Sequence, residues 1–161
     1  MRALDRTDHA LLTALQKNAR ITNKELAVQV GLAPSTCLER VRRLERGGAI
    51  TGYHAEVSPK ALGIGIQALI AIRLTRHSRD RVDSFRRHAL TLPEVIAIYH
   101  LAGANDFLVH VAVQDSNTLR DFALSAFTTR PEVAHLETNL IFEHQSSTTL
   151  PMLAKPMEWA G

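Results

Sequence analysis

Arginine is concentrated in one short stretch of the sequence, where its chemistry is that of nucleic-acid binding. Four arginines fall within the seven residues from Arg40 to Arg46. A guanidinium group donates to phosphate oxygens and to the O6/N7 edge of guanine, so such a cluster indicates either a phosphate-facing patch or a solvated helix face. Ser35 and Thr36 precede the cluster and add hydroxyl donors suited to the same partner.

The spacing of capping and apolar residues predicts three helices in the first 50 residues. The first covers Asp5 to Lys17, with leucines at helical intervals. Thr22 and Glu25 have the spacing of a capping box that starts a second, short helix, and Gly31 ends it. The third covers Pro34 to Arg46, because proline favours the first position of a helix.

The third helix has the properties of a recognition helix in a helix-turn-helix. We expect Leu38, Val41 and Leu44 to face the interior. The opposite side then presents hydroxyl groups where free amides can bind phosphate, followed by guanidinium groups one and two turns later. The predicted DNA-contacting residues are Thr22, Ser35, Thr36, Glu39, Arg40 and Arg43. The alternative is a compact three-helix domain whose arginines only keep it soluble.

The remaining sequence predicts a β-α-β-β-α-β order. Ile50 to Val57 is strand-like, and a connector containing proline and glycine leads to an alternating apolar strand from Ile66. The elements that follow are a helix at 79–90, strands at 95–101 and 106–113, a helix at 117–128 and a strand from 133. Pro-Glu-Val enters the second and fourth strands, as in two half-units of a ferredoxin-like sheet with helices on one face. The fold class is therefore α+β, and the uncovered sheet face predicts oligomerisation.

Composition and charge exclude several classes of protein. Residues 1–60 hold ten basic and six acidic residues, whereas residues 61–161 hold nine and ten, so the basic charge belongs to the first third of the chain. No uncharged run, Ala61 to Ile72 included, reaches the ~20 apolar residues of a membrane helix. A single cysteine, Cys37, excludes a disulfide framework and a cysteine-based zinc site. We expect a soluble cytoplasmic protein without a membrane partner.

Histidine is the residue type that would support an enzyme or a metal site. Six of the eight histidines lie beyond residue 60, but none belongs to a His-x-x-x-His or His-Glu-x-x-His pattern. If the turn between strands two and three centres on Ala104, His100 and His110 share a sheet face, although no third ligand is evident. The sequence also lacks the nucleophile elbow and the glycine-rich phosphate loops. We predict no cofactor, no metal and no catalytic residue.

The sequence resembles a known family over almost its whole length. The resemblance is carried by the run LDRTDHALLTALQKNARITNKELAVQVGLAPSTCLERVRRLERGGAITGYHAEVSPKALG and by Gly103-x-x-Asp106 in the second half. Together they are similar to the Lrp/AsnC family of bacterial and archaeal transcription regulators, from Leu4 to about Pro151. The resemblance implies a helix-turn-helix at 1–50, a strand and hinge linker at 51–65, a ferredoxin-like RAM domain (regulation of amino-acid metabolism) at 66–150 and a tail at 151–161.

The resemblance further implies how such a protein assembles and what it senses. RAM domains pair subunits into dimers and assemble dimers into larger rings, here expected to be an octamer. Many members bind a small effector, usually an amino acid, at the contact between dimers. The matching positions here are Leu101, Gly103, Ala104, Asn105 and Asp106, with Thr138, Asn139 and Leu140 on the facing strand. Freed backbone amides would hold the carboxylate of the effector, and Asp106 would pair with its ammonium group.

Several alternatives remain open at the level of sequence. Gly103 and Asp106 are also typical of a tight hairpin turn in which the aspartate bonds to backbone. Many relatives carry an aromatic residue where this chain has Ala104-Asn105, and often a serine where it has Ala33, which cannot cap a helix. Siroheme decarboxylases resemble these regulators in both domains, so an enzyme on the same scaffold is one alternative. A ligand-binding assembly without DNA affinity is another.

Overall fold

The computed structural model of the chain describes residues 4–75, 78–147 and 149–155. These residues form two compact units. The first unit contains the described residues of 1–55 and 145–161, and the second contains those of 56–144. The division differs from the predicted domain at 66–150, because the end of the chain lies with the first unit. There the backbone amide of Leu150 donates to Oε1 of Gln16 at 2.6 Å.

The first unit contains three helices in the predicted order. They are α1 (Arg6–Lys17), α2 (Asn23–Gln29) and α3 (Pro34–Arg46). Capping boxes start the first two, from Asp5 on α1 and from Thr22 on α2. The buried side chains of their common core are Leu11, Ala14, Leu26, Ala27, Cys37 and Leu44. The three-helix arrangement predicted from the sequence is therefore confirmed.

The second unit is a four-stranded antiparallel sheet with helices. After a 3₁₀ turn at Pro59–Leu62, the elements are β1 (Ile66–Leu74), α4 (Arg79–Ala89), β2 (Val95–His100), β3 (Phe107–Val113), α5 (Ser116–Ala123) and β4 (Val133–Leu140). A π-helical turn, Leu124–Thr128, extends α5. The strand order is β2-β3-β1-β4, with every neighbouring pair antiparallel. This is the ferredoxin-like topology that the sequence predicted.

Buried and partly exposed side chains alternate along the strands, so one face of the sheet is covered by helices and the other is open. Ile70 and Val109 are paired across β1 and β3 and are fully buried, together with Phe85 of α4 and Phe127. The rings of Phe85 and Phe127 lie with centroids 5.6 Å apart. Most residues one position away in the strands are only partly buried, as Leu69 is in β1 and His110 is in β3, although the small Ala71 is buried. The sheet therefore packs its helices on one face, and none of the described helices covers the other face.

The strand expected at Ile50 to Val57 does not form, and this prediction is wrong. Residues 50–57 are all described, and none of them belongs to a strand. The amide of Ile50 donates instead to the carbonyl oxygen of Leu44, at 3.2 Å. Alternating side chains favour an extended backbone, but a strand also needs a hydrogen-bonded neighbour, which the single chain does not supply here.

Candidate nucleic-acid interface and effector region

The connection between α2 and α3 is a tight turn held by specific bonds. Gly31 has φ of 68°, in the left-handed region that favours glycine. The amide of Leu32 then donates to the carbonyl oxygen of Ala27 at 2.9 Å. The side-chain amide of Asn23 at the start of α2 donates to the carbonyl oxygen of Pro34 at 2.8 Å. These bonds fix the start of α3 against α2.

The first turn of α3 has unused hydrogen-bond donors. Ala33 is the N-cap and gives no side-chain cap, as expected from the sequence. Ser35 and Thr36 are exposed, and in the described part of the chain neither their amides nor their hydroxyls have a hydrogen-bond partner. Thr22, the third hydroxyl of the predicted site, is engaged instead, because it donates to Glu25 Oε2 at 2.7 Å within its capping box. The start of α3 is therefore the part of the unit best prepared to meet an anion.

Arg40 and Arg43 do not face away from the protein as the sequence analysis expected. Arg40 Nη1 lies 2.7 Å from Asp5 Oδ2 and 2.8 Å from Asp8 Oδ1, and Arg43 Nη2 lies 2.9 Å from the same oxygen of Asp8. The Arg40 side chain is 24% exposed, that of Arg43 43%, and that of Asp8 only 5%. Both arginines thus join α3 to the start of α1, a geometry that favours a structural role for Arg40 over the predicted DNA contact.

In this cluster of four charges (Asp5, Asp8, Arg40 and Arg43), the hydrogen bonds and ion pairs shift the pKa values of Asp5 and Arg40 in favour of their ionised forms. The hydrogen bond to Asp5 is the main reason that the pKa of Arg40 is raised, with further contributions from Asp8. Burial works against ionisation of Asp5. Hydrogen bonds from Arg40 and from the backbone amide of Asp8 nonetheless hold the pKa of the Asp5 carboxyl below its ordinary value. The ion pairs of the cluster are therefore made within the first unit.

A different set of α3 residues occupies the exposed face. Cys37 and Leu44 are buried, and Leu38, which we expected inside, is 39% exposed. With Cys37 and Leu44 marking the core side of α3, the opposite side of the helix holds four residues separated by four, three and four positions along the chain. They are Ser35, Glu39, Arg42 and Arg46, called here the outer stripe.

The outer stripe holds the arginines that the sequence analysis missed. Arg42 and Arg46 are exposed and form no ion pair or hydrogen bond with another residue in the described ranges. The sequence allows this assignment, because a core that contains Cys37 instead of Leu38 predicts that Arg42 faces solvent. Among the predicted residues, only Arg40 is half-buried; the exposed ones are Thr22, Ser35, Thr36, Glu39 and Arg43.

The loop between β2 and β3 carries the predicted effector residues of the second unit. Leu101, Gly103 and Ala104 are exposed, and Asn105 is half-buried. Gly103 has φ of 142°, which side-chain-bearing residues rarely adopt. The amide of Leu101 closes the loop by donating to the carbonyl oxygen of Asp106 at 2.8 Å. The loop therefore presents backbone to the surface, as the predicted role requires.

Asp106 does not present its carboxylate beside these exposed residues. It is 2% exposed, and its Oδ2 accepts a hydrogen bond from the amide of Leu74 at 2.7 Å. Its own amide donates to the carbonyl oxygen of Ile72 at 2.8 Å. The side chain thus joins the end of β1 to the start of β3. Because the carboxylate is buried and bonded to backbone, the geometry favours a structural role over pairing with an effector ammonium.

The two halves of the predicted effector site lie apart along the sheet in one chain. Phe107, next to the loop, is opposite Ile72, whereas Thr138 is opposite Ile70 and Leu140 is opposite Ala68. Offsets of two to four positions along β1 separate the rows by roughly 7–13 Å at the usual rise of a strand. Thr138, Asn139 and Leu140 are exposed on β4, an edge strand. A single chain does not bring these residues and the loop together.

The two histidines considered as a metal pair lie on opposite faces of the sheet. His100 is opposite Phe107 and stacks on its ring, with centroids 4.8 Å apart. His110 is opposite Ala97, and its Nε2 lies 2.9 Å from Gln67 Oε1. Burial, with a smaller effect of His144, lowers the pKa of His110. The turn does not centre on Ala104 as the prediction assumed. His100 pairs with Phe107, and His110 lies three residues beyond that partner, on the other face.

Comparison with known proteins gives the class to which these two units belong. Residues 4–51 match the winged helix-turn-helix DNA-binding family, and residues 67–151 match the Lrp/AsnC ligand binding domain. A DNA-binding unit is therefore joined to a ligand-binding unit. The chain belongs to the Lrp/AsnC family of transcription regulators.

Individual relatives support this assignment along most of the chain. The HTH-type transcriptional regulator AldR of Mycolicibacterium smegmatis is 45% identical over 143 residues, which cover 89% of this chain and 84% of the relative. The leucine-responsive regulatory protein of Escherichia coli is 36% identical, over 87% of this chain and 85% of its own length. These relatives are regulators, which favours that class over the decarboxylase alternative.

Solved structures show the same fold. A transcriptional regulator of Neisseria meningitidis in complex with L-Met superposes with a TM-score of 0.85 at 33% identity, covering 92% of this chain and 96% of the other. AsnC of E. coli gives a TM-score of 0.82 at 30% identity, with 92% and 99% covered. Across the residues that the structure describes, no helix has the length and apolar character needed to span a membrane.

Proposed function

We propose that this chain regulates transcription by binding operator DNA with α3, in a complex whose DNA affinity changes when an amino acid binds the second unit. The outer stripe is the observation that supports the DNA part of this proposal. It combines free amides and hydroxyls at the start of α3 with the guanidinium groups of Arg42 and Arg46 further along the same face. A helix laid in a major groove uses these donors for phosphates and base edges.

The proposal divides the arginines of α3 between two tasks. Arg40 and Arg43 are neutralised by Asp5 and Asp8 at hydrogen-bonding distance, so they add little to the positive potential at the DNA surface. Arg42 and Arg46 are free to reach DNA without breaking an internal ion pair. Each phosphate that they neutralise releases counterions, which makes binding strongly dependent on salt.

The test is a titration of labelled duplexes, selected by the full-length protein from a random library, at several salt concentrations. We expect Arg42→Ala to weaken binding by about 5- to 150-fold, as for loss of a base contact, or to lower the salt slope by about one if the contact is to phosphate. Arg79→Ala removes the same charge from a side chain that is 94% exposed in the second unit, and serves as control. Equal affinities of the two variants would contradict the assignment of Arg42.

The second part of the proposal concerns the effector. The named relatives include a leucine-responsive protein and a regulator solved with L-Met, which supports an amino acid with an apolar side chain. The exposed backbone of the loop containing Gly103 and Ala104 would hold its carboxylate, with Thr138 to Leu140 contributed by another subunit. A thermal-shift screen of the twenty amino acids tests this, since a bound effector raises the melting temperature. No stabilisation by any of them would remove the amino-acid effector from the proposal.

Assembly is the third part of the proposal. The sheet face away from the helices includes half-exposed Tyr99 and partly buried Leu108, a surface that a second copy would cover. We propose a dimer formed there, with dimers assembling to an octamer in the cytoplasm. Light scattering on the eluting protein measures the mass directly. A monomer at micromolar concentration would contradict both the dimer and the effector site between subunits.

A further inference from the structure

We propose that Leu38 determines part of the operator sequence by contacting the 5-methyl groups of thymine. The proposal rests on the proposed function, because it requires α3 to lie in the major groove. It adds a specificity to that function: the arginines of the outer stripe supply phosphate and guanine contacts, and Glu39 can accept from cytosine, but none of them detects a methyl group.

The observation that carries the proposal is a large apolar side chain on the DNA side of α3. Leu38 is 39% exposed, whereas its neighbour Cys37 is fully buried, and Leu38 does not belong to the hydrophobic core of the first unit. It lies one turn after Ser35 and one turn before Arg42. Helical geometry therefore places it between the start of α3 and the first free arginine, beside the outer stripe.

The chemistry of the major groove identifies the partner. Thymine is the one base whose major-groove edge carries a methyl group, and apolar side chains contact it. Leucine offers no hydrogen-bond donor or acceptor, so it cannot read the other base edges or a phosphate. Burying its exposed methyl groups against thymine removes apolar surface from water, which is favourable. In the same groove Arg42 takes a phosphate or a guanine, so the two residues read different features.

Replacing thymine with uracil tests the contact without changing base pairing. The full-length protein first selects duplexes from a random library, and each thymine of the selected sequence is then replaced singly by uracil. We expect at least one replacement per half-site to weaken wild-type binding by about fourfold, the value of one buried methyl group. For Leu38→Ala the thymine duplex should bind more weakly, and the same replacement should have no further effect.

Two variants control for structural effects. Leu38→Met keeps an apolar side chain of similar reach and should keep the sensitivity to uracil. Leu90→Ala removes an exposed leucine from the second unit and should behave as wild type. The proposal is overturned if no uracil replacement affects the wild type, or if the effect persists unchanged in Leu38→Ala. If the protein selects no DNA sequence at all, the proposed function fails as well. Failure of the thymine contact alone is therefore distinguishable from failure of DNA binding.

Discussion

Replacing Arg40 with methionine removes a charge that the structure uses to join α1 to α3. The guanidinium donates to Asp5 at 2.7 Å and to Asp8 at 2.8 Å. Removing one partner of a buried ion pair costs about 3–5 kcal/mol. Here Arg43 still reaches Asp8, and Asp5 keeps contact with solvent, so we expect the free energy of unfolding to fall by about 2 kcal/mol. Methionine keeps most of the apolar part of the arginine side chain, so the decrease in the free energy of unfolding measures the loss of the charged group.

Urea unfolding followed by circular dichroism measures this loss. With a slope of about 2 kcal/mol per molar urea, the midpoint should fall by roughly 1 M. Arg42→Met is the matched control, because it makes the same chemical change at an exposed residue without an internal partner, and it should stay within about 0.5 kcal/mol of wild type. In DNA titrations we expect the opposite ranking of the two variants, with Arg42→Met binding DNA more weakly than Arg40→Met.

The acid side of the stability profile gives an independent check. The pKa of Asp5 is lower in the folded chain than in the unfolded chain, so its contribution to stability is complete above the unfolded pKa, about 4. That contribution is lost as the pH falls through the folded pKa. The stability difference between wild type and Arg40→Met should therefore shrink below about pH 4. Equal stability of Arg40→Met and Arg42→Met at pH 7, with weaker DNA binding by Arg40→Met, would refute the reasoning and return Arg40 to the DNA surface.

Two further predictions concern bonds that the sequence did not reveal. Asp106→Ala leaves the buried amide of Leu74 without its acceptor and should lower the free energy of unfolding by about 1–3 kcal/mol; denaturation at neutral pH measures it, and a neutral effect would contradict the structural role. Gln16→Ala removes the acceptor of the Leu150 amide, whose hydrogen exchange should become about fivefold faster, as expected for an exposed bond of about 1 kcal/mol. An unchanged exchange rate at Leu150 would show that this bond does not hold the end of the chain.

Patterns that involve neighbours along the chain were readable from the sequence. The capping box of Thr22 and Glu25, the glycine turn at Gly31 and the proline at the start of α3 all act within a few residues, so they fixed the helix boundaries closely. The strands of the second unit were similarly marked by alternation. Ile50 to Val57 shows the limit of this reasoning, because alternation does not reveal whether a partner strand is present.

The rotation of α3 was not readable in the same way. The recurrence of Leu38, Val41 and Leu44 at every third position predicts that Leu38 faces the core, although it is the adjacent Cys37 that is buried, as free cysteine often is. This error turned Arg40 toward DNA in the prediction and Arg42 away from it. The ion pairs that correct it join residues more than 30 positions apart, which no local pattern encodes.

The ion pairs also explain how a helix with several arginines can have a selective surface. If all of these guanidinium groups faced DNA, their attraction to phosphate would raise affinity for every sequence alike. Asp5 and Asp8 remove Arg40 and Arg43 from that surface and use them to fix the angle between α1 and α3. The remaining donors lie on one narrow stripe beside an apolar side chain, an arrangement that favours discrimination among base pairs over general attraction. Asp8→Asn should therefore release Arg43 and raise the affinity for random-sequence DNA more than the affinity for the selected operator.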